Sequence, residues 1–477
     1  MDSSACAFPE THVVLFPFMS KGHTVPILDL ARLLIGRCRG TAVTIFTTPA
    51  NRAFISDSLS DVVTAPSVVE LPFPSHIAGV PAGVESTDKL PSMSHFLPFV
   101  TATKLMRPSF EEALGRLNNV SFIVSDLFLG WTVESASKLG IPRLVFDGMS
   151  NYARTVCQVV GENSLLAGPQ SNDELFTVTY FPWIRLTRND FDEPFNLPDP
   201  TGPHLDFIIE QIIANSRSYC HIANSFYELE PLYVDYWNRH CEPKVWCIGP
   251  WCLVEPQRLG LEAQSKKPKW LQWLDQKAAS GKSVLYVAFG TQAEISSQQL
   301  REIAIGLEKS EANFLWVVRK GGSGSDVEDG FEERVKERGM VVREWVDQRK
   351  VLSHDSVKGF LSHCGWNSVV ESICAKVPVL AWPMMAEQHL NARMVTEDIR
   401  VGLRMETADG SARGFVKWEA VEKMVRELME GEGGKEVRRN AEALGGAAAE
   451  AMAEGGSSWE AWDRLFDEIG AARADSC

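Results

Sequence analysis

The chain has 477 residues, of which 45% are apolar and 23% are charged, a globular composition in a chain long enough for two domains. Its formal net charge of -15 argues against nucleic acid or an anionic membrane surface as a partner, because both attract basic faces. The sequence has no run of about 18 apolar residues and no basic leader before its first apolar stretch, so we expect neither membrane insertion nor a signal peptide.

The first half of the chain alternates predicted strands with predicted helices. Short apolar runs predict buried strands at 13–18, 42–46, 122–126 and 143–146. Helical periodicity follows the first of them at 26–34 and the third as far as Leu139, where Gly140 is a predicted C-cap. This alternation predicts an α/β fold with a parallel sheet covered by helices on both faces.

Two long, proline-rich segments interrupt this pattern at 72–91 and 180–203. Neither carries a motif. Segments of this length without secondary structure are often binding loops, and an ordinary solvated loop is the alternative.

The periodic pattern stops at 250–269, where Pro, Gln and Lys accumulate, and we interpret this stretch as an interdomain linker. Ser296 with Gln299 resembles a capping box at the start of a helix in the second half. Strands are predicted in this half at 284–289, 314–318, 340–342, 359–361 and 379–381. The last predicted helix, 458–469, has apolar side chains on one face and must pack on another part of the chain.

The segment 345–388 carries the clearest chemistry. A tight turn containing Gly365 follows a strand and leads into a helix, which presents free backbone N–H groups and the positive end of the helix dipole. Such a turn can bind a diphosphate without a metal. Gly290–Thr291 forms a second strand-to-loop crossing at the same sheet edge, where ligands of open α/β sheets bind. Three further donors surround the turn: His363, Asn367 and Ser368.

The segment reads WVDQRKVLSHDSVKGFLSHCGWNSVVESICAKVPVLAWPMMAEQ. Along its whole length it resembles the signature box of plant family-1 UDP-glycosyltransferases, and the likeness extends over essentially the whole chain. The resemblance implies the GT-B fold: two facing Rossmann-like domains, with the acceptor bound by the N-terminal one (1–249) and the UDP-sugar by the C-terminal one (270–455). It also implies a closing helix, 456–477, that packs back on the first domain.

The resemblance further implies an inverting transferase that uses a UDP-sugar as co-substrate and needs neither cofactor nor metal. The residues that it implies for uracil are Trp345, by stacking, and Val346, through its backbone. Those implied for the ribose hydroxyls are Gln348 and Glu371. Those implied for the diphosphate are Thr291, His363, Asn367 and Ser368. The alternatives are a core aromatic for Trp345, a turn histidine for His363 and a surface carboxylate for Glu371.

Sugar hydroxyls complete the donor site implied by the resemblance. The residues implied for them are Trp366, Glu387 and Gln388. Many relatives have Asp where this chain has Glu387, so the carboxylate here is one methylene longer. Gln388 accompanies glucose transfer in the family, and the expected donor is therefore UDP-glucose.

His23 is predicted in the loop after the first strand, where a lone histidine could be structural or solvated. The resemblance implies that it is the general base and that Asp126 is its partner carboxylate. A neutral imidazole can take a phenolic proton, while a carboxylate on its other nitrogen fixes the tautomer and stabilises the imidazolium. The alternative role for Asp126 is a helix N-cap.

The expected acceptor is a small lipophilic phenol such as a flavonoid. C-glycosylation of an electron-rich phenol ring by the same pair stays open, as do a nucleotide-sugar epimerase and a non-catalytic UDP-sugar binder. Asp190–Phe191–Asp192 spells the D-x-D string of metal-dependent transferases, but it lies in a proline-flanked loop, so we predict no metal there. The ten cysteines include no C-x-x-C pair, and we expect a cytoplasmic monomer with reduced thiols.

Overall fold

The computed structural model of the chain describes residues 11–37, 40–62, 64–254, 267–318 and 330–474. These residues form fifteen β-strands: β1 (His12–Phe16), β2 (Ala42–Thr47), β3 (Ser67–Glu70), β4 (Val120–Asp126), β5 (Arg143–Asp147), β6 (Phe176–Val178), β7 (Phe181–Leu186), β8 (Cys220–Ala223), β9 (Val245–Cys247), β10 (Val284–Ala288), β11 (Asn313–Val317), β12 (Gly339–Val342), β13 (Val357–Ser362), β14 (Val379–Ala381) and β15 (Gly402–Arg404).

The same residues form the following α-helices: α1 (Lys21–Arg37), α2 (Pro49–Ser58), α3 (Phe96–Ala102), α4 (Arg107–Gly115), α5 (Thr132–Lys138), α6 (Asn151–Glu162), α7 (Pro203–Asn215), α8 (Pro231–His240), α9 (Lys269–Ala279), α10 (Ser297–Ser310), α11 (Phe331–Val335), α12 (Gln348–Leu352), α13 (Trp366–Cys374), α14 (Gln388–Arg393), α15 (Trp418–Glu430), α16 (Glu432–Met452) and α17 (Ser457–Ala474). Among the helices formed by the described residues, none is long and apolar enough to cross a membrane.

All nine predicted strands are confirmed to within two residues at either end. The predicted loop 180–203 is wrong in its first part, because β7 pairs there with β6 in a two-stranded antiparallel sheet. Pro182 concealed this strand from the sequence pattern, although an edge strand tolerates proline. The Ser296 hydroxyl does accept from the Gln299 N–H, at 3.1 Å. The Gln299 side chain bonds to Val416 instead, so the capping box is only half formed.

The first compact unit comprises the described residues within Met1–Gly148, Thr201–Ala263 and Glu450–Cys477. Its seven-stranded sheet has the order β3-β2-β1-β4-β5-β8-β9, and its paired strands are parallel. Every residue of β4 is buried, as expected for a strand covered on both faces. The strand order reverses between β1 and β4, which makes their carboxyl ends the switch point of this sheet.

The closing helix α17 belongs to this first unit, as predicted. Trp462 and Phe466 are buried in the same core as β1 and β4, and the Phe466 ring meets Phe122 edge-on at 5.3 Å. At the surface, the Arg37 guanidinium lies 3.6 Å from the centre of the Trp459 ring and donates to the Trp459 carbonyl at 3.0 Å. Apolar burial and this cation–π contact together fix the helix on the unit.

The second compact unit comprises the described residues within Met149–Pro200 and Gln264–Ala449. Its six-stranded sheet has the order β12-β11-β10-β13-β14-β15 and is parallel throughout. Here the order reverses between β10 and β13. The register places Ala288 opposite Ser362, so the segments that follow these two strands leave the sheet side by side.

This division differs from the predicted limit of the first domain at residue 249, because residues 149–200 pack with the second unit. The reason lies in their contacts: α6 packs on α14, and Asp190 forms an ion pair with Arg393. Of the predicted linker 250–269, residues 255–266 lie outside the described residues.

Candidate active site

His23 and Asp126 meet at the switch point of the first sheet. His23 lies in the first turn of α1, which begins five residues before the predicted start because the N–H groups of His23 and Thr24 already bond to the Ser20 carbonyl. Asp126 is the last residue of β4. The His23 Nδ1 lies 2.7 Å from Asp126 Oδ2, and the side chain of Asp126 is fully buried whereas that of His23 is 23% exposed.

The orientation of Asp126 is fixed from three sides. Its Oδ1 accepts from the Phe128 N–H at 3.0 Å, so this carboxylate is both the partner of His23 and the N-cap of the following turn. The buried Arg143 donates to the Asp126 carbonyl at 3.1 Å. Burial lowers the pKa of the Arg143 guanidinium to about 9, an effect that the nearby Asp126 carboxylate opposes. Sequence reasoning missed Arg143, although an arginine at the start of a buried strand is itself an unusual signal.

Aromatic side chains surround the His23 imidazole. Phe18 meets it edge-on at 5.5 Å and Phe128 lies at 5.4 Å, while Phe96 contacts both of these rings. A side chain at Gly148 would begin 3.8 Å from the imidazole. An apolar wall beside a base excludes water and suits a flat, lipophilic partner.

The second unit brings the predicted diphosphate residues together around His363. A Cβ added at either Gly290 or Gly365 would lie 2.6 Å from His363 Nε2, so a side chain at either position would displace the imidazole. Thr291 directly follows Gly290. Cys364, the residue before Gly365 in this turn, has a φ of 63°, a left-handed conformation that is uncommon outside glycine. The sequence predicted that these two strand-to-loop connections would leave the same edge of the sheet. It did not predict the left-handed conformation of Cys364.

Burial determines the protonation state of the His363 imidazole. Burial lowers the pKa of the imidazole to about 4, so the ring is neutral near pH 7. Its buried Nδ1 has no hydrogen-bond partner among the residues that the structure describes. A buried polar atom of this kind calls for a ligand or a water molecule.

Helix α13 starts at this turn, with Gly365 as its N-cap and therefore no capping side chain. Its first three residues are Trp366, Asn367 and Ser368, three of the predicted contacts. The Trp366 side chain is buried, with 2% of its surface exposed, which leaves the backbone N–H as its group at the helix start. A helix N-terminus of this kind can bind an anion through its free N–H groups and its dipole.

The two predicted ribose residues are hydrogen-bonded to each other. The Gln348 amide donates to Glu371 Oε2 at 2.8 Å and to the Ser368 hydroxyl at 2.9 Å. Trp345 is 62% exposed, which rejects the alternative of a core aromatic, whereas Val346 is buried in the core of this unit. This exposed indole, three residues before Gln348 in the chain, is available for the predicted stacking on a base.

Glu387 and Gln388 lie on a short loop before and at the start of α14. Gln388 Oε1 accepts from the N–H groups of Met384 and Met385 at 3.0 and 3.1 Å, so this oxygen holds its own loop. The Asn391 amide donates to the Cys364 carbonyl at 3.0 Å and to Glu387 Oε1 at 3.3 Å, which links the two loops. Asn391 was not predicted, although it follows Glu387 at helical i+4 spacing.

Asp190 and Asp192 are engaged by arginines. Asp190 is fully buried and is held by Arg393 through two hydrogen bonds of 3.0 Å, and Asp192 pairs with Arg413. Within the described part of the chain, no group of three or more His, Cys, Asp or Glu could hold a metal ion.

Comparison with known proteins places this arrangement in context. The family model described as UDP-glucoronosyl and UDP-glucosyl transferase matches residues 253–429. UDP-glycosyltransferase 90A1 of Arabidopsis thaliana is 53% identical over 469 residues, which cover 96% of each chain. The structure of UGT73P12 of Glycyrrhiza uralensis, complexed with glycyrrhetinic acid 3-O-monoglucuronide, aligns with a TM-score of 0.86 at 30% identity and covers 98% of this chain and 97% of its own.

A second similar structure was solved with two ligands bound. UGT2 of Phytolacca americana, complexed with UDP-2fluoro-glucose and pterostilbene, aligns with a TM-score of 0.78 at 27% identity, covering 96% of this chain and 100% of its own.

The fold and these neighbours define a GT-B glycosyltransferase. The chain belongs to the plant family-1 UDP-glycosyltransferases, and its co-substrate is a UDP-sugar. Membership of this family of transferases sets aside the epimerase and the non-catalytic alternatives.

Proposed function

We propose that this enzyme transfers glucose from UDP-glucose to the hydroxyl of a small lipophilic phenol, such as a flavonoid, with inversion at the sugar carbon. The observation that carries the proposal is the 2.7 Å contact between His23 and the buried Asp126, set in a wall of aromatic rings. A general base oriented in this way can remove the proton of a phenolic hydroxyl as that hydroxyl attacks the sugar.

In the proposed reaction, His23 Nε2 takes the phenolic proton while the phenolic oxygen attacks C1 of the glucose. The bond between C1 and the UDP oxygen breaks, and UDP leaves with the electron pair of that bond. Asp126 holds the Nδ1 proton and stabilises the imidazolium that forms. Phe18 and Phe128 contact the His23 imidazole and keep it in an apolar setting. In such a setting the attraction between the imidazolium and the Asp126 carboxylate is stronger than in water.

Charge that develops on UDP is balanced in the second unit. We assign the diphosphate to Thr291, His363, Asn367 and Ser368 at the N-terminus of α13, whose dipoles are already oriented before the reaction. No metal is required by this arrangement, because backbone and side-chain donors perform the stabilisation. A neutral His363 can donate one hydrogen bond without adding charge.

We assign the rest of the donor to the residues that surround this helix. Trp345 stacks on uracil, the Val346 backbone pairs with the uracil edge, and Gln348 with Glu371 binds the ribose. Glu387 and Gln388 bind the glucose hydroxyls. Since Gln388 Oε1 already accepts two hydrogen bonds within its loop, we assign the contact with the sugar to its amide N–H₂.

The relatives support this choice of substrates. The structure from Phytolacca americana contains a UDP-glucose analogue and the phenol pterostilbene. C-glycosylation remains the second outcome to test, because removal of the same phenolic proton also activates the ring carbons.

The test is incubation with UDP-glucose and a panel of phenols, followed by mass spectrometry of the products. We expect a mass gain of one hexose, lost again on acid hydrolysis and carrying an inverted anomeric centre by NMR. A hexose that survives acid hydrolysis would identify a C-glycoside. Absence of any hexosylated phenol, with another UDP-sugar accepted instead, would contradict the donor assignment.

We also propose that the enzyme acts as a monomer in the cytoplasm. Cys220 and Cys364 are buried free thiols, which fits a reducing compartment. Sedimentation would test the oligomeric state, and a fluorescent fusion would test the location.

A further inference from the structure

Asp190–Phe191–Asp192, the string that resembles a metal motif, contacts the loop that carries Glu387 and Gln388. Both segments belong to the second compact unit. Asp192 Oδ2 accepts from the backbone N–H of Ala386, the residue immediately before Glu387. Ala386 has a φ of 53°, in the left-handed region that side chains rarely adopt. The Asp192 carboxylate therefore holds the loop at its least favourable backbone position.

Arg413 in turn fixes Asp192. Its Nη2 donates to Asp192 Oδ1 and, at 2.9 Å, to the Phe191 carbonyl. Its Nε donates to the Asn189 carbonyl, also at 2.9 Å. One guanidinium thus holds three groups within 189–192, and Asp192 has little freedom to move away from Ala386.

Asp190 holds the far end of α14, the helix that begins at Gln388. This buried carboxylate receives two hydrogen bonds from Arg393, on the same helix as Gln388, and two more from the N–H and hydroxyl of Thr187. The Asp190 carboxylate raises the pKa of Arg393 against the effect of burial, so the guanidinium stays protonated. Phe191, between the two aspartates, is buried against Phe176 at 6.4 Å.

We infer that Asp192 is a positioning residue that sets the sugar-contacting loop and thereby the fit of the donor sugar. This inference rests on the proposed role of Glu387 and Gln388 toward glucose. The residues assigned to uracil, ribose and diphosphate lie on other elements, so Asp192 should affect the sugar half of the donor and leave the UDP half unchanged.

The test compares binding of UDP and of UDP-glucose to the full chain by calorimetry. Asp192→Ala is expected to raise the Kd of UDP-glucose about tenfold, the worth of a charge-assisted hydrogen bond, while the Kd of UDP stays within about twofold of the unaltered enzyme. Asp192→Asn keeps the size and one acceptor, so its effect should be smaller. Asp199→Asn, an exposed change in the same segment, is the matched control and should alter neither constant.

Activity gives a second readout. In Asp192→Ala the preference in kcat/KM for UDP-glucose over UDP-galactose should fall by about tenfold, because a displaced loop discriminates less between the two hydroxyl orientations. An unchanged Kd for UDP-glucose and an unchanged preference would overturn the inference. So would an equal loss of affinity for UDP and UDP-glucose in both variants, which would show a general structural role. If the unaltered enzyme transfers no glucose, the proposed donor is wrong, and the same comparison of binding constants, made with the UDP-sugar that the enzyme does use, decides the inference.

Discussion

Replacement of Asp126 by Asn removes one negative charge beside His23 and keeps the size of the side chain. The carboxylate is fully buried, 2.7 Å from Nδ1, and its other oxygen caps the Phe128 N–H. An amide can preserve one of these hydrogen bonds but cannot stabilise an imidazolium by charge. We therefore expect the variant to fold and to bind UDP normally, while transfer becomes slow.

The magnitude follows from Coulomb's law. Charge centres about 4 Å apart in a medium of effective dielectric constant about 20 interact by about 4 kcal/mol. Loss of this interaction in the transition state corresponds to about a thousandfold decrease in kcat. A carboxylate-to-amide exchange beside a catalytic imidazole costs about 10⁴-fold in a hydrolase triad, so the estimate is of the expected order.

The assay measures kcat with UDP-glucose and two acceptors, a weakly acidic alcohol and a readily ionised nitrophenol. The decrease should be large for the alcohol and much smaller for the nitrophenol, which needs little help to lose its proton. Asp29→Asn is the control, since Asp29 is a buried carboxylate on α1 that pairs with Arg32 instead of His23. Near-normal turnover of the alcohol by Asp126→Asn would refute the role of the charge.

Three further outcomes are expected. Gln388→Ala should lose most activity with UDP-glucose. The unaltered enzyme should prefer UDP-glucose to UDP-galactose by about tenfold or more in kcat/KM, since mispairing a buried polar group costs about 1–3 kcal/mol. Equal use of both donors would contradict this preference. Turnover should persist in EDTA, because we assign stabilisation of the leaving UDP to the N-terminus of α13 and not to a metal. Activity that is lost in EDTA and restored only by added Mg²⁺ or Mn²⁺ would contradict this assignment. Finally, the contribution of His363 to the free energy of unfolding should fall by about 2–3 kcal/mol as the pH drops from 6.5 to 4, because the unfolded histidine binds a proton that the buried ring excludes. In urea titrations, stability should therefore depend less steeply on pH in His363→Gln than in the unaltered protein, and the same slope in both would contradict the assignment.

Much of this architecture could be predicted because its signals are local. The run 122–124 within β4 and the whole of β10 are apolar, so their burial follows from the sequence alone. The convergence of Gly290 with His363 follows from the rule that parallel strands end at one edge. Gln348 and Glu371 lie 23 positions apart and still meet, which the resemblance implied and the periodicity did not.

Other features depend on contacts between distant parts of the chain, which no local pattern records. Asp192 reaches Ala386 across 194 positions, and Asp190 reaches Arg393 across 203, so a short acidic string resembled a metal site while its real partners were arginines and a backbone N–H. The assignment of residues 149–200 to the second unit has the same origin.

The measurement that tests the central claim most directly is the turnover of His23→Ala, with UDP binding measured on the same protein. The account predicts a kcat lower by about 10²–10⁴-fold on a weakly acidic acceptor, because a positioned general base contributes about that much, and an unchanged Kd for UDP. Near-normal glucosylation by His23→Ala would contradict it.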